Sequence, residues 1–392
     1  MAGVTPSTDP TGALSAADLA DVLPGIDAHP HARAVLAPAL PPHGSPSHAY
    51  LFYGPAGVGK RTIARGFAAT LLADGAHDPA ATAARIARGA HPDLTWVTPS
   101  GASEMLVSDI EEPVVAAAAR TPFESSRRVF VIEGVETMND QAANRMLKTL
   151  EEPPPFVHLL LLSERRQDVL ETIASRCQCV RFDPLPAARI ATSLEAEASS
   201  AGERLESERA QACARLALGD ARLAARLASA EGGELRARAE GFARAALAGE
   251  TGGRPWMGLL DAAKQAGTSA GEASQERMAS ELELVPGKER KRYEREGLDA
   301  RRRGERRART STLDLELGLA ELWLRDAMCV REGAPELIHA VDRRAELEQD
   351  AQGCDRMGLR EAVELVGETR LSLSLNVSEE LALEALAYRI GG

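Results

Sequence analysis

The chain has 392 residues and a formal net charge of −12 at pH 7, long enough for two or three domains, each with its own core. That balance speaks against a surface that binds nucleic acid all over, but it leaves room for a local basic patch or for a partner that itself binds DNA. Apolar residues are 44% and aromatics 4%, as in an Ala-, Leu- and Arg-rich, largely helical protein, and no apolar run approaches the roughly 18–20 residues of a membrane span.

Residues 1–45 are rich in Pro, Ala, Ser and His and read as a flexible N-terminal segment, with a short helix over Ala17–Val22 capped by Ser15. Met1 to Leu14 has neither a charged n-region nor an apolar h-region, so it is no signal peptide and the chain is expected in the cytoplasm. From His48 strands and helices alternate. Ala49–Tyr53 is a short apolar strand that runs into Gly54-Pro55-Ala56-Gly57-Val58-Gly59-Lys60. Such a loop needs glycines so that backbone N–H groups can wrap phosphates, a lysine for the terminal phosphates, and a following Ser or Thr for Mg²⁺. Its place before a helix adds the helix dipole. Gly54, Gly57, Gly59 and Lys60 fit, so ATP is the ligand the loop suggests. The metal position holds Arg61, and Thr62 comes one residue late, about 100° round a helix. Mg²⁺ is therefore expected only together with ATP. Arg61 could itself pair with phosphate as a guanidinium, and a glycine-rich turn without ligand is the other reading.

Thr62–Leu72 reads as a helix, Leu94–Val97 as a strand and Val107–Ala119 as a helix. Val129–Ile132 and Val157–Leu162 are β-branched and Leu-rich runs without alternation, as in strands buried on both faces. Val180–Phe182 closes the series, which predicts an α/β fold with a parallel sheet. The strand at 129–132 ends in Glu133-Gly134-Val135-Glu136. Glu133 could still reach a metal, but Gly134 stands where a water-polarising carboxylate would be. Glu136 points elsewhere and reads as a solvated loop acid. After Pro184 the pattern is helical, with breaks at Ala201-Gly202, Gly219-Asp220 and Gly249–Pro255, and Glu231-Gly232-Gly233 as a hinge. Lys288–Arg309 is dense in basic residues and reads either as a nucleic-acid contact or, more plainly, as a solvated helix or mobile loop.

Leu147-Lys148-Thr149-Leu150-Glu151-Glu152-Pro153-Pro154, then Ser175-Arg176-Cys177, resemble the motifs of the clamp-loader branch of the AAA+ proteins. Ser47–Phe52 and Gly89-Ala90-His91-Pro92-Asp93 add to the resemblance, which covers roughly His48 to Arg226. A lone arginine after a helix would read as a surface salt bridge. Here the resemblance makes Arg176 an arginine finger, reaching a neighbouring subunit's nucleotide to stabilise charge on the transferred phosphoryl group. It makes Ser163 the sensor 1 residue and Arg222 the sensor 2 arginine. An impaired loop beside an intact finger is similar to the delta-prime subunits of the bacterial DNA polymerase III loader.

That resemblance implies an AAA+ module over 46–185, a helical lid over 186–232 and an all-α collar over 233–392. It implies a structural ring member with weak or absent ATPase and no polymerase site of its own. Motor (gamma/tau) and delta subunits would be its partners, and the sliding clamp and primer-template DNA would be met through the complex. An active gamma/tau-type ATPase and a P-loop kinase are the rival readings. The family's four-cysteine zinc module has no counterpart, because Asp74–Gly89 contains no cysteine and His77 and His91 cannot replace four ligands. The five cysteines, Cys177, Cys179, Cys213, Cys329 and Cys354, are odd in number and irregularly spaced, which fits small buried hydrophobes better than disulfides or metal.

Overall fold

The computed structural model describes residues 16–41, 44–100, 104–282, 290–375 and 377–391. The chain divides into two compact units, Met1–Leu185 and Pro186–Gly392.

The first unit runs α1 (Ala16–Val22), α2 (Pro30–Leu36), β1 (Ala49–Tyr53), α3 (Lys60–Ala73), α4 (Pro79–Ala87), β2 (Leu94–Val97), α5 (Val107–Ile110), β3 (Arg128–Glu133), α6 (Asp140–Glu151), β4 (Val157–Ser163), α7 (Glu171–Ala174) and β5 (Gln178–Arg181). The strands form one parallel sheet in the order β2-β3-β4-β1-β5. Every residue of β4 is buried, and side chains of successive residues leave a strand on opposite faces. Leu160 and Leu162 join Tyr50, Phe52, Phe67 and Leu71 on one face. Leu159 and Leu161 join Leu51, Phe130, Met146 and Leu150 on the other. Two covered faces explain why these strands show no polar alternation.

The N-terminal segment corrects the expectation of a flexible 1–45. Over its described part, Leu19, Leu23, Ile26, Ala32 and Leu36 are buried in the core that also holds Phe52 and Phe67. The spacing of 19, 23 and 26 is a helical apolar stripe, diluted in composition by the Pro and His residues around it. Residues 1–15 lie outside the described residues. The expected helix over Val107–Ala119 stops at Ile110 and continues as a π-helical turn over Glu111–Ala116. Pro113 lies inside that turn and has no N–H to donate. The cysteine-free interval after Asp74 holds α4, whose N-terminus Asp78 caps by accepting from the Ala81 N–H.

The second unit is helical: α8 (Ala187–Ser200), α9 (Ser207–Leu216), α10 (Ala221–Ala228), α11 (Ala230–Leu247), α12 (Met257–Leu282), α13 (Arg290–Arg331), α14 (Arg344–Gly353), α15 (Arg356–Ser374) and α16 (Glu379–Gly391). Breaks fall at Gly202 and Gly219, both at positive φ, and around Thr251–Gly253. The hinge expected at Glu231–Gly233 is instead the first turn of α11, capped by Ser229. A Cβ on Gly232 would stand 1.8 Å from the Arg226 carbonyl oxygen, so this glycine serves a close helix crossing. Residues 186–232 and 233–392 share one unit because side chains tie them together. Arg215 of α9 donates to the Ile338 carbonyl at 2.8 Å and to the Glu336 carbonyl at 3.3 Å. From Arg290 the basic segment is the start of a 42-residue helix, not a loop; Lys288 and Glu289 lie outside the described residues. Among the described residues no helix is long and apolar enough to cross a membrane.

Candidate functional site: the glycine loop and Arg176

The glycine loop leaves the C-terminal end of β1. Gly54 has φ 148°, and a Cβ there would stand 2.0 Å from the Phe182 carbonyl oxygen, so only glycine lets the loop pass β5. Gly57 (φ 63°) and Gly59 (φ 99°) are left-handed, and Gly59 caps α3. Lys60 is buried, and its Nζ donates to the Gly54 carbonyl and, at 2.6 Å, to the Pro55 carbonyl. The lysine thus braces the loop. So does His29, a residue the sequence reading passed over: its Nε2 donates to the Val58 carbonyl at 2.7 Å, and its ring packs 4.9 Å from Phe182. The partners are 29 residues apart in the chain, and no local pattern announces the contact.

The acidic position is already occupied. Arg61 Nε lies 2.7 Å from Glu133 Oε1, and Trp96 Nε1–H donates to the same oxygen. Thr62 is exposed on α3. Mg²⁺ needs oxygen ligands at about 2.0–2.1 Å in near-octahedral geometry. Here the usual hydroxyl is replaced by a cation, and that cation sits on the acid, so the residues present do not fit the metal. Gly134 has φ 66°, and a Cβ there would stand 2.9 Å from Pro99 Cγ. The backbone itself therefore opposes a carboxylate at this position. Glu136 corrects the expectation of a solvated loop acid: it is half-buried, and its Oε1 accepts the Glu164 N–H at 3.1 Å. Ser163 pairs in register with Tyr53, at the root of the loop. Its hydroxyl serves the turn that ends β4, donating to the Arg165 carbonyl at 3.0 Å and accepting the Arg165 N–H at 3.2 Å.

Arg176 follows the single turn of α7. Its side chain is 35% exposed and meets Glu151, the last residue of α6, through Nε at 3.0 Å and Nη2 at 2.5 Å. Nη1 donates to the Thr172 carbonyl at 2.8 Å. The two motif strings read separately in the sequence thus join in one ion pair. Burial pushes the Cys177 thiol up to about 12, which leaves it unreactive. Asp93 of the Gly89–Asp93 string is fully buried. Its carboxylate accepts the N–H groups of Phe123 at 2.6 Å and of Glu124 and Ser125 at 3.0 Å, which pins the chain ahead of β3. Arg222 is exposed at the start of α10, in the second unit.

A parallel sheet with a glycine loop closing on β1 and an acid ending β3 defines a P-loop module of the AAA+ kind. Residues 34–186 match the family model described as DNA polymerase III, delta subunit. The delta-prime subunit of Pseudomonas aeruginosa DNA polymerase III is 41% identical over 154 residues, 38% of this chain and 46% of that one. The delta-prime subunit of Bacillus subtilis is 37% identical over 145 residues, 36% and 43% of the two chains. The matched segment is accordingly similar to the corresponding part of these delta-prime subunits. The chain spans less than half the length of these curated relatives. Among solved structures, a DNA polymerase III gamma subunit-related protein of Thermotoga maritima reaches a TM-score of 0.37 at 15% identity over 87% of this chain and 93% of that one, too loose a likeness to add to the sequence relationship.

Proposed function

We propose that the chain is a structural member of a clamp-loader ring, which presents Arg176 to the ATP site of a neighbouring motor subunit and has no effective ATPase of its own. The observation that supports this reading is the contrast between its two halves. Arg176 is at the surface on a preformed support of Glu151 and Thr172, whereas the chain's own loop has Arg61 and Gly134 where hydrolysis needs a hydroxyl and a carboxylate. An arginine supplied in trans stabilises charge on the transferred phosphoryl group. In this reading the helical second unit assembles with motor and delta-type subunits. The sliding clamp and primed DNA are met through that complex. Ser163 and Arg222 keep the sensor places of the fold without a hydrolytic task, and the cysteine-free α4 stands where a zinc module would be.

The test is the complex reconstituted with its motor and delta subunits. Arg176→Ala is expected to leave assembly intact and to lower DNA- and clamp-stimulated ATPase and clamp loading severalfold. That is less than the roughly 10³–10⁵-fold seen for small GTPases, because other sites in a ring remain intact. Lys60→Met, which keeps the volume of the buried stem, should change both rates far less. A larger loss from Lys60→Met would favour a motor ATPase, and unchanged loading with Arg176→Ala would sink the finger.

A further inference from the structure

The contact between Arg61 and Glu133 joins the two residues that a metal site would need to keep apart. Glu133 ends β3 with its side chain 18% exposed, and one of its oxygens carries both the Arg61 guanidinium at 2.7 Å and the Trp96 indole N–H. A guanidinium keeps its charge at any pH a protein survives. Its planar fork suits a carboxylate better than the point charge of a lysine does. A divalent ion at Glu133 would meet that fixed charge on the same carboxylate, one oxygen of which already holds two donors, and no hydroxyl at position 61 would help to hold it. Lys60, the other cation of the loop, is turned onto the Gly54 and Pro55 carbonyls.

We propose that Arg61 is the resident cation of this loop: its guanidinium takes the carboxylate that would otherwise bind Mg²⁺, so the loop accepts a nucleoside polyphosphate only in metal-free form, or none. Glu133 thereby changes from metal ligand to anchor for Arg61, and the α3 N-terminus is tied to β3 without a cofactor. A free nucleoside triphosphate carries about two more negative charges than its Mg²⁺ complex. A guanidinium held at the metal's place repels a divalent cation and not the phosphate oxygens, which favours the metal-free form. This inference concerns the chain's own loop and stands whether or not Arg176 acts in trans.

The test uses the full-length chain and a fluorescent ATP analogue, titrated in excess Mg²⁺ and again in EDTA, for wild type, Arg61→Thr and Arg61→Thr/Glu133→Gln. Thermal melts of all three confirm that the fold survives. The wild type is expected to bind more tightly in EDTA than in Mg²⁺, or in neither buffer. Arg61→Thr frees Glu133 and restores a hydroxyl, so Mg²⁺ should strengthen its binding at least about 10-fold. The Glu133→Gln change should remove that gain. Loss of the free Mn²⁺ electron paramagnetic resonance signal, with ATP present, should follow the same order and reads the metal directly. Wild-type binding in Mg²⁺ as tight as in EDTA, or tighter, would overturn the proposal. So would an Arg61→Thr chain that folds yet gains neither metal-dependent nucleotide binding nor Mn²⁺ uptake.

Discussion

Gly54 is the residue on which the loop's path depends. Its φ of 148° is strained for an L-residue, and the missing Cβ leaves space for the Phe182 carbonyl. Gly54→Ala adds an atom with nowhere to go, because both the loop and the end of β5 would have to shift. Backbone strain and a steric clash together place it among the severe substitutions, at roughly 3 kcal/mol. The expected result is a lower melting temperature for the sheet unit, with the transition of the helical unit unchanged, seen by differential scanning calorimetry. A single unshifted transition would show that the loop can give way. Arg61 and Gly134 belong to the same scale: one side chain occupies the acid, and one backbone conformation rejects a carboxylate.

At the level of elements, the helices of the second unit meet around buried ion pairs. Glu316 of α13 is fully buried and faces Arg238 of α11 at 3.0 Å. Burial, opposed by Arg238 and Arg226, pushes its carboxyl up to about 7. Its folded pKa therefore exceeds the unfolded value near 4.5. The stability it contributes is fully present below that unfolded value and is lost as pH rises through about 7. Glu316→Gln stays neutral, and Arg238, one-third exposed, can turn to water. The variant should melt above the wild type at pH 8, with the gap narrowing as pH falls from about 7 towards 4.5. A gap of constant size would show that the carboxylate is not the cause. Asp93 shows the opposite use of a buried acid, since three N–H donors satisfy its carboxylate and hold a loop that no helix or strand supports.

At the level of the whole chain, the division at Leu185 and Pro186 decides where it can be cut. A break near Gly233 would fall inside α11 and part Arg215 of α9 from the Glu336 and Ile338 carbonyls it donates to. The fragment 1–185 keeps its sheet, both covering layers and the N-terminal helices. It should refold cooperatively with a melting temperature within a few degrees of the sheet transition in the full chain. The fragment 1–233 should add helical residues but expose apolar surface on them, detected by a hydrophobic dye. If 1–233 is as well ordered as 1–185, the lid is a domain of its own after all. In the proposed reading neither fragment joins the ring, because the residues that assemble lie beyond 233.

The helices α2 and α6 were not read from the sequence, but the five strands and their order along the chain, the parallel sheet, the glycine loop, and the absence of a metal hydroxyl at 61 and of a carboxylate at 134 were legible in it. They depend on residue type and on spacing within a few positions, where propensity and periodicity act. What lies between distant residues was decided by the tertiary structure alone. Leu19, Leu23 and Ile26 looked like part of a loose, Pro-rich start until the sheet supplied a face for them to cover. His29 became a brace only when β5 and the loop met it, and the hinge read at Gly232 became a crossing when α10 turned back on α11. Arg61 and Glu133 are 72 positions apart in the chain and Arg176 and Glu151 are 25 apart; no local pattern pairs them. Charges pair according to distance in space, and that distance is set by the packing of the whole sheet.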